Sequence, residues 1–261
     1  MITSLHSSHV EAVKALLGAR GVKARREQRS YVVEGVTNIS AVIAAKPKLI
    51  KRIYYTAAGM ARINAAWDGE WLEVSDQVMK AMTDTVTPQG LLAIVEKSED
   101  SLKDLAKIAQ PKLAYLWEIQ DPGNAGTVIR AADAFGFDGV IFSENSVDIF
   151  SPKVIRATAG SLWQIKLVTE VSLEQLDEFA RQQNLRCFTT MASAEIELSA
   201  ISKELKGKGS IWIFGNEARG IPKNVPSVIQ ATSVSIPMSG AAESLNLATA
   251  ASVVMYAVAN A

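Results

Sequence analysis

Three short clusters of polar residues and glycines hold the residue types that chemistry on a bound ligand requires. The first is Asp121-Pro122-Gly123-Asn124-Ala125-Gly126, which follows an apolar run and continues into Thr127-Val128-Ile129-Arg130-Ala131-Ala132. A glycine-flanked loop that leaves a strand and opens a helix offers unpaired backbone N–H groups to an anion or a polar ligand. Asn124 is read as a loop residue and Arg130 as lying one turn into the helix, turned away from the apolar face of Val128, Ile129, Ala132 and Phe135. The spacing does not follow the G-x-G-x-x-G dinucleotide fingerprint, which argues against a Rossmann-type site. The second cluster, Gly215-Asn216-Glu217-Ala218-Arg219-Gly220, ends another apolar run. Its two glycines permit close backbone approach around one carboxylate. The third is Ile236-Pro237-Met238-Ser239-Gly240-Ala241-Ala242-Glu243-Ser244-Leu245-Asn246. Helix capping would employ one of its polar residues, leaving Asn246 inside an apolar helix without a task.

A fourth feature is electrostatic. The 261 residues carry 27 basic and 27 acidic side chains, so net charge announces no polyanionic partner. The distribution is uneven, however. Residues 1–60 hold ten Lys or Arg against three acids, and Arg20, Lys23, Arg25, Arg26 and Arg29 fall within ten positions. Such a patch can replace the counterions condensed on a phosphate backbone, or it can be an ordinary solvated helix face. Lys23, Arg25, Arg26 and Arg29 are the candidate contacts to such a backbone.

Several function classes drop out. The single cysteine, Cys187, cannot form an intrachain disulfide, and no Cys/His cluster has zinc-like spacing, so no metal is expected. No apolar run reaches the roughly 18 residues of a membrane span, and the first residues lack a signal-peptide layout. A cytoplasmic protein is expected. Both histidines, His6 and His9, lie near the start, so a histidine base cannot come from the region of the three clusters.

The elements that must position these clusters show in the hydrophobic pattern. In the first hundred residues helices and strands alternate: helix from Val10 to Leu17, strand at Ser30–Gly35, helix from Ile39, strand at Leu49–Tyr55, helix over Gly59–Trp67, strands at Trp71–Val74 and Leu91–Val95, with a short helix at Gln77–Met82 between the last two. A polar stretch then ends at Pro111. Beyond it, near-continuous apolar runs at Leu113–Ile119, Gly139–Phe142, Ile165–Val168, Leu185–Thr189, Ile211–Phe214 and Val234–Ile236 suit parallel strands buried on both faces. Helices over Thr127–Phe135, Leu173–Gln183 and Leu245 to Ala259 fall between or after them. This predicts an α/β protein with a small α/β domain over 1–96, a linker over 97–111 and a parallel-sheet domain over 112–261. The last helix is almost free of charge, which predicts burial in the core or against another subunit.

Taken together, the order and wording of the three clusters resemble the SpoU (TrmH-like) family of RNA 2′-O-ribose methyltransferases in the SPOUT superfamily. The similarity is to an N-P-G-N-x-G-x-x-x-R segment, then G-x-E-x-x-G, then I-P-M-x-G-x-x-x-S-L-N. The chain departs from that pattern at Asp121 and at Ala248-Thr249. Tyr31-Val32-Val33-Glu34-Gly35 and Thr85-Val86-Thr87-Pro88-Gln89-Gly90 are similar to the family's small substrate-binding domain. The resemblance implies a trefoil-knotted methyltransferase domain, S-adenosyl-L-methionine as cofactor, RNA as substrate (ribosomal RNA above all) and a homodimer formed through the C-terminal domain. It implies that Thr190, Met191, Gly215, Ile236 and Leu245 line the cofactor pocket, and that Asn124, Arg130, Glu217, Ser244 and Asn246 form the polar active-site set. In the family the counterpart of Arg130 is viewed as the proton acceptor. A guanidinium with a pKa above about 12 is a poor base, so Arg130 is expected to clamp a phosphate and orient the ribose. Asn124, Ser244 and Asn246 would fix the nucleophile and the cofactor. The alternatives are a transfer-RNA methyltransferase and an RNA-binding module of the same fold without turnover. A nucleotide-binding protein fits less well, because the lysine–serine pair of a P-loop is missing.

Overall fold

The computed structural model describes residues 1–18, 21–216, 219–221 and 225–261. In chain order the elements are α1 (Ser8–Leu16), α2 (Gly21–Glu27), β1 (Ser30–Glu34), α3 (Val36–Ala45), β2 (Ile50–Tyr55), α4 (Ala57–Met60), β3 (Trp71–Glu73), α5 (Asp76–Ala81) and β4 (Leu91–Glu96). They continue with α6 (Leu102–Leu105), β5 (Lys112–Leu116), α7 (Pro122–Ala134), β6 (Gly139–Phe142), α8 (Pro152–Thr158), β7 (Lys166–Val168) and α9 (Leu173–Gln182). The chain closes with β8 (Arg186–Thr190), α10 (Leu198–Glu204), β9 (Ser210–Phe214), α11 (Val225–Val228), β10 (Thr232–Val234) and α12 (Leu247–Ala259).

By contact, the chain forms two compact units, one of residues 1–98 with 148–164 and one of residues 99–147 with 165–261. The segment 148–164, which the hydrophobic pattern groups with the second domain, packs with the first. The first unit is built on a mixed four-stranded sheet of order β1-β4-β2-β3, in which β4 runs antiparallel to both neighbours and β2 pairs with β3 in parallel. Its core gathers Val10, Val13 and Leu16 from α1, Val78 and Met79 from α5, and Val32, Tyr54 and Leu92 from the sheet. The helix expected over Gly59–Trp67 stops at Met60. Beyond it the Trp67 indole donates to the Pro47 carbonyl at 3.1 Å and the Trp71 indole to the Trp67 carbonyl at 2.9 Å, and these anchors hold an irregular path.

The second unit is a six-stranded sheet of order β10-β8-β9-β5-β6-β7 with every pairing parallel. Strands β5, β6 and β9 are buried almost throughout, the reason their sequences are apolar without alternation. Leu113, Tyr115, Ile141, Ile211 and Ile213 make the core with Leu176 and Phe179 of α9, and the buried Tyr115 hydroxyl donates to the Val171 carbonyl at 3.0 Å. From β5 the chain proceeds to the neighbouring β6, whereas from β9 it leaves in the other direction, passing β8 to reach β10. The carboxyl ends of β5 and β9 therefore flank the point where connections diverge, the place at which open parallel sheets hold ligands.

Candidate active site

The three clusters are carried to one edge of the second sheet. Two of them emerge from β5 and β9, which are paired from Lys112↔Ser210 to Leu116↔Phe214, so their loops leave the sheet side by side. Helix α7 begins earlier than its hydrophobic pattern suggests. Asp121 is the N-cap, accepting the Asn124 N–H at 2.7 Å, and Pro122 occupies the first helical position, where its missing N–H costs nothing. Asn124 consequently sits in the first turn of the helix instead of a loop, and Arg130 lies about two turns in instead of one. The departure from the family pattern at Asp121 is physically conservative, because Asp and Asn cap equally well.

Helix α12 starts at Leu247, two residues later than expected, and Asn246 is its N-cap. The Asn246 Oδ1 accepts the backbone N–H groups of Ala248 at 2.9 Å and Thr249 at 3.3 Å. Its Nδ2 donates to Asn124 Oδ1 at 3.1 Å. One amide thus terminates a helix with one end and joins the first cluster to the third with the other. Helices α7 and α12 pack on each other, so helix packing and the amide contact fix the same geometry. Arg130 is exposed and has no hydrogen bond or ion pair among the described residues, leaving its five donors available. Ser244 is exposed in the extended stretch that leads into the Asn246 cap.

The β9 loop folds back on itself. Asn216 and Gly220 exchange backbone hydrogen bonds at 3.0 and 2.8 Å, and a Cβ at position 215 would collide with the backbone of Gly220 and Ile221, so only glycine fits there. Buried Asn216 then ties this loop to the one after β5: its Nδ2 donates to the Glu118 carbonyl at 2.7 Å, while Arg219 pairs with the Glu118 carboxylate at 2.6 Å. Asn216, Glu118 and Arg219 carry no weight in the family motif, and only the register of β5 against β9 brings them together. Glu217 lies outside the described residues.

The candidate cofactor-lining residues occupy the same sheet edge. Thr190 ends β8 and pairs with Val234, Met191 follows it and donates its N–H to the Val234 carbonyl at 3.0 Å, Gly215 follows β9, and Ile236 lies two residues past β10. Thr190, Ile236 and Leu245 are half-buried and Met191 is exposed. These five residues carry no charge, and at the ends of three adjacent strands they suit a nucleoside whose ring is held by apolar contact and main-chain groups.

The basic stretch is different. Residues 21–27 form α2, with Lys23, Arg26 and Arg29 exposed. Arg25 must be corrected: it is 3% exposed, its Nε donates to Asp148 Oδ2 at 2.8 Å, and its Nη1 donates to the Leu16 carbonyl. A Cβ at Gly21 would collide with that guanidinium. Arg25 is a buried strut of the first unit and presents nothing to a phosphate. Arg20 lies outside the described residues.

A parallel sheet with two joined asparagines and main-chain edges at the carboxyl ends of its strands fits an α/β enzyme of the nucleoside-cofactor-dependent transferase class. Residues 112–256 match the model of the SpoU rRNA methylase family and residues 10–93 that of the MRM3-like substrate-binding domain. The chain belongs to the SpoU (TrmH-like) family of RNA 2′-O-methyltransferases and carries an MRM3-like substrate-binding domain at its N-terminal end. Among curated relatives it is 27% identical over 237 residues, 90% of each chain, to the 23S rRNA (guanosine(2553)-2′-O)-methyltransferase RlmP of Bacillus subtilis. It is 26% identical to the 23S rRNA (uridine(2479)-2′-O)-methyltransferase of Streptomyces viridochromogenes, over 93% of this chain and 86% of that one. Among solved structures, the AdoMet-bound rRNA methyltransferase from Sinorhizobium meliloti superposes with a TM-score of 0.85 at 30% identity, covering 99% of this chain and 97% of that one.

Proposed function

We propose that this protein transfers the methyl group of S-adenosylmethionine to a ribose 2′-hydroxyl of ribosomal RNA. When bound, the cofactor supplies a methyl group already activated by its positively charged sulfur. What remains for the protein is alignment of the 2′-oxygen and removal of its proton, and alignment can contribute up to about 7–11 kcal/mol of barrier lowering. The observation that carries the reading is the Asn246–Asn124 contact of 3.1 Å, which joins residues 122 positions apart at the strand-end edge. Thr190, Met191, Gly215, Ile236 and Leu245 would hold the cofactor. Asn124, Ser244 and Asn246 orient the ribose oxygen beside it, together with Glu217 from the β9 loop. Arg130 holds a phosphate flanking the target nucleotide with a planar two-pronged donor that lysine lacks.

In the first unit, Lys23, Arg26 and Arg29 supply backbone contacts to the RNA, and buried Arg25 does not. The relatives' names support ribosomal RNA as substrate class, and they include both a guanosine and a uridine target, so the family leaves the base open. A ribosomal substrate like that of the bacterial relatives would place the reaction in the cytoplasm. We also propose a homodimer formed through the second unit. Helix α12 exposes Val253 and Tyr256, at 37% and 59%, on a helix with no charged residue, and a second copy of the same surface would cover them.

Incubation with methyl-labelled S-adenosylmethionine and either ribosomal or transfer RNA tests the proposal. Label is expected in ribosomal RNA as an alkali-resistant 2′-O-methyl nucleotide. Label in transfer RNA alone would replace the substrate, and no cofactor binding at millimolar concentration would leave an RNA-binding module without turnover.

A further inference from the structure

Strand β5 ends at Leu116, yet the chain beyond it stays tied toward both neighbouring strands, and one residue makes most of the ties. The last backbone link to β9 is the Trp117 N–H, which donates to the Phe214 carbonyl at 2.8 Å. At Glu118 the backbone turns into the left-handed region, φ 46°, which a residue with a side chain rarely adopts unless its surroundings hold it there. Three contacts do so. The Glu118 N–H donates to Oγ of buried Ser143, just past β6, at 2.7 Å. On the other side, its carbonyl accepts Asn216 Nδ2 at 2.7 Å and its carboxylate accepts Arg219 Nη2 at 2.6 Å. Asn216 Oδ1 in turn accepts the Arg219 N–H at 3.1 Å, so Glu118, Asn216 and Arg219 are joined pairwise in a closed triangle.

Within this triangle the ion pair stands apart. Its arginine side chain is 69% exposed, and a pair so open to water adds little to folding stability. The segment it restrains nevertheless follows directly on Gly215, whose backbone the proposed function gives to the cofactor, and Asn216 and Gly220 close that segment by exchanging backbone hydrogen bonds. We propose that Glu118 is a positioning residue: through Arg219 its carboxylate holds the β9 loop against the β5 loop and so keeps the Gly215 edge in place for S-adenosylmethionine. An edge already in place spares binding the cost of ordering it. The proposal rests on S-adenosylmethionine being the cofactor. It gives two residues outside the polar active-site set a share in cofactor affinity without requiring that either touch the cofactor.

The test is calorimetry of S-adenosylmethionine with the full chain and three variants. Glu118→Asn tolerates the left-handed backbone and keeps the peptide groups that bond Ser143 and Asn216, but its shorter side chain has no charge for Arg219. Arg219→Ala removes the other partner from an exposed position. Each should raise Kd about fivefold, the upper end for an exposed pair, and the double variant should bind no more weakly than either single one. Unfolding midpoints in urea should stay at the wild-type value. Unchanged affinity in the single variants, losses that multiply in the double one, or losses that track a fall in the urea midpoint would overturn the proposal. So would a normal Kd in Arg219→Ala together with a salt slope of RNA binding lowered by about 0.7–0.9, which would make Arg219 a phosphate contact. The two readings fail differently. Wild type and variants that bind the cofactor alike remove the role of Glu118 alone, whereas a wild type that binds no cofactor removes the proposed function and this role with it.

Discussion

The two units use their polar side chains in opposite ways. In the first, a cationic stretch that looks ready for a polyanion has its central member, Arg25, committed to Asp148 and to a backbone carbonyl. In the second, Asn246, which the pattern places inside a helix, caps it instead and gives the other end of its amide to Asn124. The lesson lies in counting atoms: a side chain is available to a ligand only through donors and acceptors that the fold has not engaged. By that count Arg130 is available and Arg25 is not, while Asn246 is engaged at both ends of its amide and keeps one N–H of its Nδ2.

The sharpest way to break this comparison is Arg25→Ala. Removing one partner of a buried ion pair strands the other, so unfolding free energy should fall by about 3–5 kcal/mol in a urea titration. The salt dependence of RNA binding should stay as in the wild type; a flattened slope at unchanged stability would return Arg25 to the RNA-binding set. Next in size is Asn246→Asp, which keeps the capping oxygen but turns the donor facing Asn124 into a second acceptor. Stability should hold to within about 0.5 kcal/mol, while methyl transfer should drop about a hundredfold, the scale of a misplacement near 1 Å. A normal rate would reduce Asn246 to its cap. Arg130→Lys should cost about tenfold in kcat/KM, roughly 1.4 kcal/mol, with cofactor affinity unchanged in calorimetry, and a near-normal rate would show that the planar fork is unnecessary. The smallest effects belong to Arg26→Ala and Arg29→Ala. Each should leave stability within about 0.5 kcal/mol and lower the slope of log affinity against log salt by about 0.7–0.9.

The sequence made much of the second sheet legible. Six apolar runs became six parallel strands, because strands covered on both faces cannot hide their composition. The three clusters were legible as a site only through family resemblance, which is also the sole source of the expected knot. The first turns of α7 and the whole of α8 were missed. Asp121-Pro122 and Ser151-Pro152 each pair a capping side chain with a proline at the first helical position, a start signal that is readable in the sequence. Other features were out of reach. Nothing local to Arg25 announces Asp148, 123 positions away, and nothing in Asn216 announces the Glu118 carbonyl, 98 positions away. Such partners are set by which segments the topology makes neighbours, and hydrophobic periodicity carries no record of that.

The position of Asn246 at the mouth of α12 has a consequence for how this protein can vary. Each residue added between the cap and the packed face of the helix would swing the amide by about 100° around the axis, while Ala248, Ala251 and Val254 remained wedged in place. Insertions that lengthen the approach before residue 246 are harmless to that alignment, and a single one after it is not. The angle of that amide is therefore indifferent to loop length on one side of a single peptide bond and frozen on the other.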